Sequence, residues 1–404
     1  MKSSAWLSAM TLSAMSLVAL PGGASAQQRL EAQLIPDNFA APDGAMRLIP
    51  IPKQQQSPAA SACANAGGTY SAEARLAGCA TLIDSGKWKG REIAWAYANR
   101  CIVYHAQGET QKAQANCDAA IQQDPGSWLA YQMRGEIAEK LGSPDKALAD
   151  YDKAIEVGAR NAAIFVNRGD IFLAGGHADR ALADFNKAIE LNDRSVLAYI
   201  GRGGAFVARG DADSAIADFG KVIELAPDKA IAWFDRGAAF FAKGENARAA
   251  QDFTQALRLD PSNAYAAIWR FLARARVGDG DAAKAELLAG SAKISRTAWP
   301  WPAAQLFLGD KDAGETLAAA KSPGDQCEAQ FYLGEERLLK NARDESLAYF
   351  RKAAEICPRN FSEYFQALNE LKPPVDAAPR TGEEPPKAET APKADETKDP
   401  VAKP

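Results

Sequence analysis

Two histidines and six cysteines are the residues of this 404-residue chain whose chemistry depends most on their neighbours. His105 falls late in a predicted helix and His177 in a turn after Gly175-Gly176. Neither has the spaced cysteine, histidine or carboxylate set that a metal ion requires, so both read as surface side chains and no metal or cofactor is expected. The chain also has no nucleophile elbow, no phosphate-binding glycine loop and no HExxH pair. With no catalytic constellation to assemble, a binding protein is expected and an enzyme is not. The cysteines are Cys63, Cys79, Cys101, Cys117, Cys327 and Cys357. An even count suggests disulfides in an oxidising compartment, whereas reduced cysteines would serve as small buried hydrophobes. No CxxC occurs, which argues against redox or zinc chemistry.

The N-terminus bears on the compartment. Lys2 precedes an apolar run from Ala5 to Leu20, and Ala24-Ser25-Ala26 stands before Gln27. These are the three parts of a secretory signal, with cleavage expected after Ala26. The run is shorter than the roughly 20 residues that span a bilayer, and Pro21-Gly22-Gly23 follows it. A lipoprotein would carry a cysteine just after the cleavage site, but that position is Gln27. A periplasmic protein without a stable membrane anchor is expected, with residues 1–26 as the signal peptide, and the disulfide reading gains support.

The elements that must position any site are helices. Hydrophobic residues make up 47% of the chain, yet alanine carries much of that fraction, and alanine favours helices without thickening a core. The net charge is only −4 with both signs interspersed, so no basic face exists for nucleic acid. Residues 27–60 contain Pro36, Pro42, Pro50, Pro52 and Pro58 with no sustained period, and a flexible leader is expected there. Residues 373–404 are almost entirely Pro, Ala, Glu, Lys, Asp and Thr with no aromatic residue, and are expected to be disordered.

Between these ends the chain repeats. Arg134-Gly135, Arg168-Gly169, Arg202-Gly203 and Arg236-Gly237 recur every 34 residues, as do Ala147, Ala181, Ala215 and Ala249, and Tyr151, Phe185, Phe219 and Phe253. The step and the residue types resemble the tetratricopeptide-repeat family. The resemblance implies an all-α solenoid, a right-handed superhelix of antiparallel helix pairs. Small residues at the eighth and twentieth positions of a unit let its two helices approach closely, and the aromatic at the twenty-fourth fills the gap toward the next unit. The frame assigns units to 94–127, 128–161, 162–195, 196–229 and 230–263 within a solenoid over 61–372. Weaker matches cover 60–93 and 264–297. The stretch 298–326, with Trp299-Pro300-Trp301-Pro302, reads as a non-repeat insert before a further unit at 327–360.

Within that frame Cys101 and Cys117 take the eighth and twenty-fourth positions, where other units place glycine and an aromatic. Cys327 and Cys357 stand first and thirty-first, at adjoining ends of antiparallel helices. Cys63 and Cys79 share the separation of Cys101 and Cys117. The expected pairs are Cys63–Cys79, Cys101–Cys117 and Cys327–Cys357. Arginine recurs at the seventh position as Arg100, Arg134, Arg168, Arg202, Arg236 and Arg270, and aspartate at the twenty-third as Asp150, Asp184, Asp218 and Asp252. These read as structural ion pairs in preference to a ladder for ligands, because both types sit beside packing positions.

The family resemblance implies a concave face lined by the first helix of each unit at its second, fifth, ninth and twelfth positions. The second is Trp95, Leu129, Leu197, Ile231 and Tyr265, the fifth is Val166, Ile200, Phe234 and Ile268, and the twelfth is Leu173, Val207 and Phe241. Glu136, Glu139 and Asp170 add an acidic patch near its N-terminal end, close to His105. The lysine and asparagine with which the family's carboxylate-clamp members hold a peptide C-terminus are absent from the matching positions. An apolar stripe of this extent is either covered by the chain's own leader, insert or second subunit, or receives an apolar segment of a partner.

A further resemblance lies in Trp299-Pro300, Phe307-Leu308-Gly309, Ala329-Gln330-Phe331-Tyr332-Leu333-Gly334 and Phe361-Ser362-Glu363-Tyr364. Over roughly residues 94–372 the chain is similar to the new-lipoprotein-I type of periplasmic adaptor. That likeness implies a scaffold for protein partners in the cell envelope, such as peptidoglycan enzymes or a protease, with a homodimer as its common state. The alternative function is an assembly or secretion cofactor for exported proteins or polysaccharide machinery.

Overall fold

The computed structural model describes residues 55–296, 298–358 and 361–372. The expected signal peptide, most of the leader and the tail lie outside these. Every regular element among the described residues is helical. A short first pair, α1 (Pro58–Cys63) and α2 (Ala72–Asp84), precedes six longer pairs. These are α3 (Arg91–Ala106) with α4 (Thr110–Gln123), α5 (Trp128–Lys140) with α6 (Pro144–Glu156), and α7 (Ala162–Ala174) with α8 (Ala178–Leu191). They continue as α9 (Val196–Arg209) with α10 (Ala212–Leu225), α11 (Ala230–Ala242) with α12 (Asn246–Leu259), and α13 (Ala264–Arg276) with α14 (Gly280–Gly290). Two short helices, α15 (Trp301–Leu308) and α16 (Ala313–Ala319), lead to α17 (Pro323–Leu339), α18 (Arg343–Ile356) and α19 (Ser362–Glu370).

Helix starts follow capping chemistry. Ser195 and Asn263 accept from the amides of Ala198 and Ala266. Asp312 with Glu315, and Ser322 with Asp325, form reciprocal capping boxes. The turn inside each pair has its own rule. Gly108, Gly142, Gly176, Gly210, Gly244 and Gly278 keep the 34-residue step, and each has a positive φ, which glycine adopts without a Cβ penalty. Asn341 takes that place in the last pair with φ 59°.

The helices of a pair meet through glycine and an aromatic ring. A Cβ on Gly135 would lie 2.6 Å from Tyr151, one on Gly203 2.7 Å from Phe219, and one on Gly334 2.5 Å from Phe350. Tyr151, Phe185, Phe219, Phe253 and Phe350 are all fully buried, and such burial stabilises by about 1.5–3 kcal/mol per ring. In the α3–α4 pair a disulfide stands in this place, joining Cys101 to Cys117 with Cα atoms 5.4 Å apart. The structure also joins Cys63 to Cys79 and Cys327 to Cys357.

Two boundaries differ from the sequence reading. The leader expected through residue 60 gives way earlier, because Ser57 caps α1 and Gln55 is already packed. The Gln55 amide donates to the Glu92 carbonyl at 2.7 Å and its oxygen accepts from Trp95 Nε1 at 2.8 Å. The long helix α17 begins inside the expected insert, since Pro323 at its first turn and the Ser322 cap start it before Cys327.

The C-terminal half closes on one side chain. The fully buried Trp269 meets Phe234, Phe241 and Phe253 edgewise or tilted and stacks on Phe331 at 5.6 Å. Rings from α11, α12, α13 and α17 thereby share one core, which α15 extends through Trp301 and Phe307.

Candidate functional site

An arginine spine positions the first helices. The Arg202 guanidinium holds Asp218 through two bonds of 2.7 Å, and Arg134–Asp150, Arg168–Asp184 and Arg236–Asp252 repeat the bidentate geometry. A third nitrogen reaches back to the preceding pair: Arg134 to Asp118, Arg168 to Asp152 and Arg202 to Asn186. Each arginine also lies over a ring one turn before it, as Arg202 lies 5.5 Å from Tyr199. These guanidinium groups are consumed within the chain, so the row is structural.

Most of the twelve apolar residues of the expected stripe are covered. Trp95 is buried among α1 and α2 beneath Gln55, and Leu129 packs beside the Cys101–Cys117 disulfide. Val166, Leu173 and Leu197 belong to the core around Phe185, while Phe234, Phe241, Tyr265 and Ile268 belong to the core around Trp269. The chain itself supplies the cover at the C-terminal end. α19 lies against α11, and the Gln366 amide donates to the Ala238 carbonyl at 3.0 Å in a buried bond. Of the apolar set, Ile200, Val207 and Ile231 remain half-exposed.

Glu136 and Glu139 project from α5, and Asp170 from α7 faces the charge of Glu139. Asn161 donates to Gln132 at 3.0 Å, Gln132 donates to Glu136 at 2.9 Å, and the Tyr151 hydroxyl donates to Glu139 at 2.5 Å. Asn167 in turn donates to that hydroxyl at 3.3 Å. Burial pushes the Glu136 carboxyl up to about 7, although the Gln132 amide opposes it. Burial, aided by the charge of Glu136, pushes Glu139 up to about 8. Asp170 is held well above the usual range by burial and by Glu139. His105 departs from the surface reading: it is half-buried, and burial with the nearby Lys140 lowers its pKa. His177 is exposed.

A second polar cluster was not anticipated. Glu328 on α17 accepts from Trp299 Nε1 at 2.7 Å and from the Tyr265 hydroxyl at 3.4 Å. The Tyr332 hydroxyl reaches Glu363 on α19 at 3.5 Å, and Trp269 Nε1 reaches Tyr332 at 3.2 Å. Nearby, Arg276 pairs with Glu335 and Glu370. Burial first, and then the proximity of Glu363, hold Glu328 well above the carboxylate range, and burial pushes Glu363 up to about 7. Nothing in the 34-residue pattern marks these glutamates: Glu328 stands second in its unit, where Leu129, Leu197 and Tyr265 are buried apolar residues in others. Among the described residues no group of three or more His, Cys, Asp or Glu is placed to hold a metal ion, and no helix is long and apolar enough to cross a membrane.

Stacked helix pairs with one repeated glycine–aromatic contact define the class. The tetratricopeptide-repeat family model matches residues 102–164, 132–196, 166–221 and 200–264, and over this stretch the chain is similar to that family. No curated protein matches the chain. Among solved structures it is similar to YrrB, described as a TPR protein with an unusual peptide-binding site, at 24% identity over 46% of this chain and 95% of that one, with a TM-score of 0.42. It is similar to a tetratricopeptide repeat protein from Parabacteroides merdae at 15% identity, over 69% of this chain and 99% of that one, with a TM-score of 0.44. PilF from Pseudomonas aeruginosa is similar at 18% identity, over 54% of this chain and 97% of that one, with a TM-score of 0.44.

Proposed function

We propose that this chain is a non-catalytic scaffold of the bacterial cell envelope that holds an extended segment of a partner protein on the inner face of its repeats. One observation carries the reading: on α9 and α11 the side chains of Ile200, Val207 and Ile231 stay half-exposed, while the chain's own α19 lies against a later turn of α11. A half-exposed apolar patch with covered residues around it suits a ligand of limited length. The signal-type N-terminus and the three disulfides support action in the periplasm. The motifs shared with the new-lipoprotein-I type support partners among cell-envelope enzymes.

The test is photo-crosslinking in periplasm-bearing cells with benzoylphenylalanine at Val207 or Ile231, and at the exposed Leu288 as a control. Adducts to one partner from the inner positions and none from Leu288 are expected. Equal labelling from all three positions refutes a docking face, and adducts to a second copy of the chain assign the face to a dimer.

A further inference from the structure

We infer that α19 is a pH-sensitive latch, whose docking against α11 and α17 needs a proton on the buried pair Glu328 and Glu363 and loosens when that proton leaves. Opening adds the face around Ala238 to the patch at Ile231 on the same helix. The latch itself does not depend on that patch being a docking site.

The case begins with the partners that these two glutamates lack. Glu335, on the same helix as Glu328 and fully buried, is held by Arg276 at 2.6 Å. The buried Asp150, Asp184, Asp218 and Asp252 each have an arginine as well. Glu328 and Glu363 are only 2% and 4% exposed, yet among the described residues neither forms an ion pair. Their partners are neutral donors. Trp299 Nε1 and the Tyr265 hydroxyl serve Glu328, while the Tyr332 hydroxyl and the backbone amide of Glu363 serve the Glu363 carboxyl. Glu328 and Tyr332 stand on adjoining turns of one face of α17, so Tyr332 brings the α19 carboxyl alongside Glu328. Two carboxylates without a cation are costly to bury together, and a proton on one of them removes the repulsion.

The surrounding elements do not supply the missing charge. α17 turns Asp325, a further acid, toward Glu328. α13 contributes Tyr265 and Trp269, the stretch before α15 contributes Trp299, and α11 contributes the Ala238 carbonyl that accepts from Gln366. The cations on α13 and α18, Arg276 and Arg343, are taken by Glu335 and Glu370. Burial first, and then Glu363, hold Glu328 well above the carboxylate range, and burial pushes Glu363 up to about 7. The docked helix therefore binds its proton more tightly than the open one. Docking is strongest in acid and weakens as pH rises through about 7. The ion pairs of Glu370 persist over that range, so loosening starts at the turn that carries Glu363 and Gln366.

Hydrogen–deuterium exchange on the full chain at about pH 6 and about pH 8, corrected for the pH dependence of free-amide exchange, tests the latch. Protection of residues 362–370 should fall about tenfold between the two, while residues 196–225 of α9 and α10 change less than about threefold. Glu363→Gln puts a neutral group of the same shape on α19. It should match the wild type in acid and lose less than about threefold on going to the higher pH. Glu328→Gln removes the same pair from α17 and should flatten the fall likewise, so the test stands if one variant fails to fold. Constant protection of 362–370 in the wild type overturns the latch, as does a tenfold fall retained by the folded variants. A parallel loss across 196–225 overturns it too, because the whole fold then softens together.

Discussion

Gln366 and Ala238 stand 128 positions apart in the chain, and the side-chain amide of one donates to the backbone carbonyl of the other at 3.0 Å in a buried bond. Through it α19 is pinned to α11, so the last helix of the described fold closes the inner face of the fifth full pair. Arg276 reinforces the closure by holding Glu335 on α17 and Glu370 at the end of α19. Replacing Gln366 with Ala should cost about 1–2 kcal/mol, the usual effect of leaving a buried carbonyl without one of its donors. Hydrogen–deuterium exchange should then quicken in 362–370 and 230–242 ahead of the other helices, and uniform exchange would show that the bond does not govern docking.

The spine of arginines predicts an asymmetry between single and double changes. Asp218 has a side chain 7% exposed and Arg202 one 22% exposed. Asp218→Ala leaves a partly buried guanidinium without its bidentate partner and should cost roughly 2–4 kcal/mol, below the range for a fully buried pair. Arg202→Met/Asp218→Leu should unfold at a higher urea concentration than Asp218→Ala, because it removes both charges. A double variant less stable than the single one would place the energy in the pair itself.

Buried carboxyls set the pH dependence. A carboxyl whose pKa is higher in the folded than in the unfolded chain binds its proton more tightly when folded. Its contribution is complete below the unfolded value and is lost as pH rises through the folded one. Glu136 and Glu363 lie at about 7, and Glu139 and Asp235 at about 8, all raised chiefly by burial. Asp170 and Glu328 shift the same way. The melting temperature should therefore fall as pH rises from about 5 to about 8. Glu139→Gln/Asp235→Asn should show a shallower fall, and a slope identical to wild type would show that these groups do not titrate with folding.

The Cys101–Cys117 bond, with a sequence separation of 16, occupies the place of the glycine–aromatic contact. Removing it as Cys101→Ser/Cys117→Ser should cost about 3 kcal/mol in the chain-entropy account. Cys101→Gly/Cys117→Phe restores the residue types of the neighbouring pairs and should recover part of that loss. Calorimetry without reductant measures both, and equal melting of the two variants would mean that the α3–α4 pair does not accept the contact.

The helix pairs were legible in the sequence because the contact of Gly135 with Tyr151, or Gly203 with Phe219, demands fixed residue types at a fixed step. The 16-residue spacing of Arg202 and Asp218 likewise carried their bond. The turn glycines from Gly108 to Gly278 keep the same step and offered a signal for the positive-φ turns. The docking of α19 on α11 was not legible. It depends on Gln366 folding back over more than a hundred residues, and such a contact leaves no period. The same holds for Glu328, whose partner Trp299 comes from the non-repeat stretch, and for Glu363 on the late α19.

The position of α19 has a consequence for assembly. Units that bury one another's faces are in principle extensible, and an uncapped last pair offers its apolar side to the first pair of another copy. α19 packs on α18 as the opening helix of a next unit would, with Ser362, Glu363, Gln366 and Ala367 turned inward. Glu370, held by Arg276 and Arg343, keeps its outer end polar. α19 thereby takes the place of a next unit's first helix on α18 and ends in ion-paired side chains.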